Sequence, residues 1–283
     1  MLVITLVVAC SPDPSPREVI VPEFSVLGID AQRVRYDSVF NILGSDFPNV
    51  PEGIRVNISG VDANFTILND TLMKVLVARQ IPSGPGVVKV FRLDQEVFSG
   101  DLRILFELVR DTVVNFPARF GSGDLDSGPF RRFDFTEGGL PEELEEWDLA
   151  FRGTTLAVNG GEATCTEGEP LRTGEAGASL LDIPYQQINS ASDVDFAQDG
   201  PEGFAIADRP DEGWFFLDEL SGAVLPVDER TLVVRARDGR FAKVKFLNYY
   251  QNAPQQPDPD TDAPGYYSFA YTFNPNFGEN YLE

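Results

Sequence analysis

Histidine is absent from this 283-residue chain, and cysteine, methionine and tryptophan each occur only twice. The missing imidazole excludes Ser-His-Asp and Cys-His triads, His-ligated zinc, and haem held by a His pair or a His-Met pair. Two cysteines, Cys10 and Cys165, are too few for a disulfide framework. Positive charge is also scarce. The chain has 22 Lys and Arg against 45 Asp and Glu, a formal charge of −23, and its only lysines are Lys74, Lys89, Lys243 and Lys245. A general basic field for nucleic acid is therefore excluded. The acidic excess has two readings, self-repulsion for solubility and adaptation to high salt, and composition does not choose between them. What is present supports packed cores: 42% hydrophobic residues and 22 Phe.

The first segment is apolar. Leu2-Val3-Ile4-Thr5-Leu6-Val7-Val8-Ala9 runs to Cys10. The run is too short to span a bilayer and fits the hydrophobic stretch of a signal sequence. Val7-Val8-Ala9-Cys10 resembles a bacterial lipobox, in which the Cys thiol receives a diacylglycerol. No Lys or Arg precedes the run, a departure from the usual leader. The expected organisation is a signal peptide over 1–10, with lipidation at Cys10 and a Pro-rich tether over 11–22. An internal disulfide with Cys165 is then excluded.

From 23 to 109 the pattern is all-β. Short apolar runs separated by turn residues predict strands at Phe24–Leu27, Val39–Leu43, Ile54–Ile58, Phe65–Leu68, Met73–Val77, Val87–Phe91 and Ile104–Leu108. The stretch Phe40-Asn41-Ile42-Leu43-Gly44-Ser45-Asp46-Phe47 and the later Ile81-Pro82-Ser83-Gly84-Pro85-Gly86 resemble motifs of IPT/TIG immunoglobulin-like domains. The resemblance implies a small sandwich acting as a spacer or interaction module.

From 110 to 283 a second β-rich unit follows. Trp147, Leu149 and Phe151 alternate with Asp148, Ala150 and Arg152, which predicts a strand with one apolar face. Residues 162–212 are polar, rich in Gly, Glu and Asp, and predict long loops with short strands or turns. Strands return at Thr231–Ala236, Phe241–Tyr250 and Tyr266–Phe273, the last with Tyr267, Phe269, Tyr271 and Phe273 on one face. Between the first two, a two-residue Asp238-Gly239 loop would set Leu232 and Val234 beside lysines. A three-residue loop, Arg237-Asp238-Gly239, instead puts Leu232, Val234, Ala236, Ala242, Val244 and Phe246 on one face, with Gly239 in the left-handed position. The need for one buried face selects the three-residue loop.

Trp147 to Thr155, Val158-Asn159-Gly160-Gly161, Gly213-Trp214-Phe215-Phe216, the 232–244 hairpin, Tyr249-Tyr250 and the closing strand, in this order, resemble the HmuY family of Bacteroidetes lipoproteins. The resemblance implies an all-β domain with a crevice and a haem-acquisition role, with haem held between two axial side chains and passed to a TonB-dependent outer-membrane receptor. It also implies a lipid-anchored place at the outer membrane or cell surface. This chain departs from the family where ligands are expected. It has no His, its only internal Met is Met73, and Phe215-Phe216-Leu217-Asp218-Glu219 follows the Gly-Trp motif. Haem binding is accordingly expected to be weak, or replaced by another ligand. The alternative is a structural or interaction lipoprotein with no small-molecule ligand. No nucleophile–base pair is visible, so an enzyme is not expected.

Candidate site residues are few. Trp214, Phe216, Tyr249 and Tyr250 are either plain core or the lining of an apolar crevice. Arg235, Arg237, Lys243 and Lys245 collect on the other face of the hairpin, as pairs for neighbouring acids or as an anion- or partner-docking patch. At least two of these four are expected within salt-bridge distance of a carboxylate. Cys165, flanked by acids, is expected to be inert. Asp258, Asp260 and Asp262 alternate as in a calcium loop but lack its Gly and final Glu, and Glu142, Glu143, Glu145 and Glu146 form a solvated acidic run.

Overall fold

The computed structural model of the chain describes residues 24–119 and 127–283. The leader, Cys10 and the tether over 11–22 lie outside the described residues. The chain divides into two units, Met1–Leu105 and Phe106–Glu283. It is all-β, and the one helical element among the described residues is a single 3-10 turn at Tyr185–Gln187.

The first unit contains β1 (Ser25–Ile29), β2 (Arg33–Val34), β3 (Val39–Ser45), β4 (Ile54–Ile58), β5 (Val61–Ala63), β6 (Phe65–Asn69), β7 (Leu72–Leu76), β8 (Gly84–Arg92) and β9 (Gln95–Ile104). They form two sheets, β1-β3-β7-β6 and β2-β9-β8-β4-β5. Inward residues of both sheets, among them Phe40, Ile42, Val56, Ile58, Met73, Val75, Val88 and Val90, make one buried core, as in a sandwich. Gly44 is required locally. A Cβ there would run into the Ser25 carbonyl and the Phe47 ring, so the ring closes over bare backbone.

One expected strand is corrected. Ile104–Leu108 is not a strand: β9 ends at Ile104, and Leu105–Leu108 carries no regular structure. The true strand, Gln95–Ile104, was hidden because Ser99, Gly100 and Asp101 interrupt its apolar pattern. It pairs with β8 across a two-residue turn in which Leu93 and Asp94 both have positive φ, 46° and 67°. That is the mirror-image turn that fits strand twist, built here without glycine.

The second unit contains β10 (Val109–Pro117), β11 (Arg131–Phe133), β12 (Leu149–Arg152), β13 (Thr155–Val158), β14 (Gly177–Leu181), β15 (Phe215–Leu217), β16 (Val224–Pro226), β17 (Thr231–Arg235), β18 (Phe241–Tyr250) and β19 (Pro264–Asn274). The main sheet is antiparallel in the order β10-β19-β18-β17-β14. A smaller sheet, β11-β12-β13, shares its core. Phe133, Leu149, Phe151, Leu156 and Val158 from the small sheet meet Val244, Phe246, Tyr267, Phe269 and Phe273 from the main one. The 237–239 loop has three residues: Leu232 pairs with Val244, Val234 with Ala242, and Gly239 has φ 87°.

The one-face expectation for Trp147–Arg152 is corrected. All four residues of β12 are buried. Leu149 and Phe151 point into the main core, whereas Ala150 joins Trp147, Phe130 and Ala157 in a second cluster. Alternation in sequence shows only that two faces differ, not that one is wet.

Candidate functional site

Two buried ion networks hold the second unit together. In the first, Asp148 is almost fully buried and accepts bonds from the backbone N–H of Phe135 and of Arg237, both at 2.9 Å. The Arg237 guanidinium lies 3.4 Å from Asp148 and 3.1 Å from Asp134. Burial pushes the Asp148 carboxyl up to about 6, against the bonds from Arg237 and Phe135 and the nearby Arg237 charge. A carboxyl raised in the folded state stabilises the fold fully below its unfolded value near 3.8, and this contribution is lost as pH rises through about 6. Carbon-detected NMR should show Asp148 titrating near pH 6, and a midpoint below 4 would refute the assignment. In the second network, Asp199 binds Arg172 at 2.7 Å, and Arg172 binds Glu169 at 2.8 Å.

The four hairpin cations do not form one exposed patch. Arg237 joins the first network and also reaches Glu146 at 3.8 Å. Arg235 donates from Nε to the Glu175 carbonyl at 2.9 Å and lies over the Phe196 ring. Lys243 is 5% exposed and donates to the carbonyls of Tyr185 and Ile188 at 3.0 and 2.7 Å. Lys245 is half-buried. Thus one of the four, not two, meets a carboxylate among the described residues. The physical reason is that this side of the sheet is covered. Ile188, Ala191 and Leu282 pack on Val233, so backbone carbonyls rather than acidic side chains face the cations.

Of the two readings of Trp214, Phe216, Tyr249 and Tyr250, core holds for all but Phe216. Trp214, Tyr249 and Tyr250 are 1, 1 and 2% exposed and belong to the main core. Trp214 lies 4.8 Å from Phe246, 4.9 Å from Tyr267 and 5.7 Å from Tyr249, centroid to centroid, and its Nε1 donates to the Thr154 carbonyl at 2.8 Å. The Tyr250 hydroxyl accepts from the Val224 N–H at 3.0 Å, and the Tyr267 hydroxyl donates to the Gly153 carbonyl at 3.0 Å. Phe216 is half-buried on β15. Rings that satisfy one another this closely leave no slot for a porphyrin. Asp218, the nearby acid, accepts from the backbone N–H of Leu220 and Ser221 and so caps its own turn. Met73 is fully buried in the other unit. These residues do not fit haem.

The remaining candidates are locally satisfied. Cys165 is exposed, with φ 65°, and its N–H binds Glu169 at 2.9 Å. Asp258 and Asp262 turn their carboxylates onto the backbone N–H of Asp260 and Asp258. Glu142, Glu143 and Glu145 are exposed.

A groove that sequence reasoning missed lies where the covering ends. Arg110, Thr272 and Lys243 stand directly opposite one another on β10, β19 and β18. Thr112, Ala270 and Lys245 form the next row on the same face. The groove, about 570 Å³, is floored by Ala270 and Thr272 and walled by Tyr185, Gln186 and Asn189. The Tyr185 hydroxyl and the Thr272 hydroxyl are 2.7 Å apart. Burial pushes the Lys243 ammonium below its usual range, and the neighbouring Arg110 charge pushes the same way, opposed by Glu283. Arg110 lies outside the 232–246 hairpin in sequence, and only strand pairing through β19 brings it beside Lys243.

Among known proteins, no family model matches the chain, and no curated protein matches it. Several solved structures resemble it weakly. One is a protein of unknown function from Bacteroides thetaiotaomicron, 16% identical over 44% of this chain and 31% of that one, with a TM-score of 0.27. A candidate lipoprotein from Bacteroides fragilis is 14% identical over 58% of this chain and 89% of that one, at 0.33. An auxiliary nutrient binding protein from Bacteroides ovatus is 13% identical over 79% of this chain and 67% of that one, at 0.23. The chain thus spans under a third of the first of them. At TM-scores of 0.33 and below, these likenesses assign this chain neither fold nor function.

Proposed function

We propose that this protein is a lipid-anchored cell-envelope protein with a binding role and no catalytic one. On this reading an IPT/TIG-like spacer precedes a HmuY-like domain that has given up axial haem ligation. The anchor rests on the Val7-Val8-Ala9-Cys10 motif and the Pro-rich residues that follow it. The loss of the haem role rests on one observation above all: three of the four aromatics that would line a crevice, Trp214, Tyr249 and Tyr250, are interlocked core. The resemblance to haem-acquisition lipoproteins supports a place at the outer membrane or cell surface, with a TonB-dependent receptor as the candidate partner. A structural or interaction lipoprotein is the second reading, favoured by the same filled core.

The anchor is tested by Cys10→Ala. The variant is expected to leave the membrane fraction, because two acyl chains at Cys10 give stable attachment where one gives only marginal binding. Retention of the variant in washed membranes would show that something else holds the protein there. Titration with haem should give no sharp low-spin spectrum. A stoichiometric low-spin complex would return the chain to the haem-carrying branch and make Cys165 or a tyrosine the ligand to test.

A further inference from the structure

The outer face of the main sheet is half covered, and its cations gather at the border. The segment around Tyr185–Ile188, together with Leu282, closes over Val233 and Phe241, while Ala270 and Thr272 floor the open part. Lys243 sits under the edge of the cover. Its ammonium has two carbonyl partners and the Tyr185 ring, whose centroid is 4.5 Å away, but no carboxylate within ion-pair distance among the described residues. A buried cation is ordinarily paired with an anion, because leaving water costs several kcal/mol. Carbonyl dipoles replace part of its hydration but cannot neutralise its charge. The neighbour across Thr272 is Arg110, a second cation rather than an acid. The groove is also lined by Asp111 and Glu283; Glu283 is exposed and acts on the Lys243 charge from beyond ion-pair distance. By strand alternation Asp111 belongs to the opposite face, and its carboxylate accepts from the Thr112 N–H at 2.7 Å. On a chain of charge −23, two cations converging on an open groove are unexpected as chance placement.

We propose that this groove binds a small anion bearing a carboxylate or phosphate group, with Arg110 as its mobile clamp and Lys243 as its fixed charge. Arg110 is exposed and presents the planar fork that matches either group in two parallel bonds. Lys243 supplies positive potential from below, strengthened by its low-dielectric setting. The Gln186 and Asn189 amides offer further donors around the rim, and the Tyr185–Thr272 hydroxyl pair, which spends one of its protons internally, has one left to offer. The volume suits a small organic acid or phosphate ester rather than a polymer.

The test is a titration of isotope-labelled protein with inorganic phosphate, glucose 6-phosphate, acetate and citrate, against sodium chloride at matched ionic strength. Amide shifts should saturate at millimolar concentrations or below and be confined to 110–112, 185–189, 243 and 270–272. The phosphate and carboxylate arms then show which group the site prefers. Arg110→Gln should weaken binding about tenfold, the loss of a charge-assisted pair, with an unchanged unfolding midpoint. Lys243→Met should weaken it too. Because that change also frees the Tyr185 and Ile188 carbonyls and can loosen the cover, Arg110→Gln remains the deciding variant. Lys89→Gln, on the other unit and paired with Glu96, should change nothing. Absence of saturable shifts with all four anions, or equal affinity in Arg110→Gln and the parent, overturns the proposal and leaves Lys243 as a strap for the covering segment.

Discussion

Replacing Asp199 by alanine is expected to cost about 3–5 kcal/mol of folding stability, the range for breaking one side of a buried ion pair. The Asp199 side chain is fully buried, and that of Arg172 is 4% exposed. One carboxylate oxygen accepts from the Ala205 N–H at 2.7 Å, and the other from the Val158 N–H at 3.0 Å and from Arg172. The residue therefore joins the 199–205 loop to β13 and neutralises a buried guanidinium. Alanine leaves two backbone donors without their acceptor and the Arg172 guanidinium with Glu169 as its remaining carboxylate. Burial pushes the Asp199 carboxyl up, while the bonds from Ala205, Arg172 and Val158 pull it down, so the free carboxylate is a poor tenant without its partners. The double variant Asp199→Ala/Arg172→Met should cost less than the sum of the two single changes, because the Asp199–Arg172 pair is lost only once, although Glu169 then loses Arg172 as well. Urea unfolding of the four proteins in the cycle measures this. A single-variant cost under 1 kcal/mol, typical of an exposed pair, would show that water reaches the site.

Trp214→Ala is expected to destabilise the second unit by about 3–5 kcal/mol, because it removes the largest ring from the centre of a close-packed cluster. Four rings surround it: Phe215, Phe246, Tyr249 and Tyr267, with centroids 5.1, 4.8, 5.7 and 4.9 Å away. The variant also leaves the Thr154 carbonyl without its indole donor. This experiment separates core from crevice directly. A crevice residue loses ligand affinity on truncation and leaves the unfolding midpoint nearly in place. A core residue shifts the midpoint and leaves a dry cavity. Added indole should then raise the midpoint of the variant but not of the parent, as apolar ligands do for engineered cavities. An unshifted midpoint in Trp214→Ala would restore the crevice.

The sequence by itself determined the all-β class, most strand positions and the register of the 232–246 hairpin. These are local or near-local matters. Period-2 alternation marks a strand wherever one face is buried, and a glycine at the left-handed position of a short loop sets which residues pair. It also determined exclusions, since a chain without histidine has no imidazole in any fold. Tertiary structure alone decided what covers each face. Lys243 and Arg235 were legible as one face of a hairpin, but whether that face meets water, acids or carbonyls depends on the 185–196 segment and on Leu282, distant in sequence. Trp214 and Tyr249 were legible as large aromatics near two strands, but core and crevice share the same composition, and only ring-to-ring packing separates them. The groove was illegible for the same reason. Arg110 and Lys243 come together through β19, which pairs with both of their strands, and no local pattern encodes a neighbour two strands away.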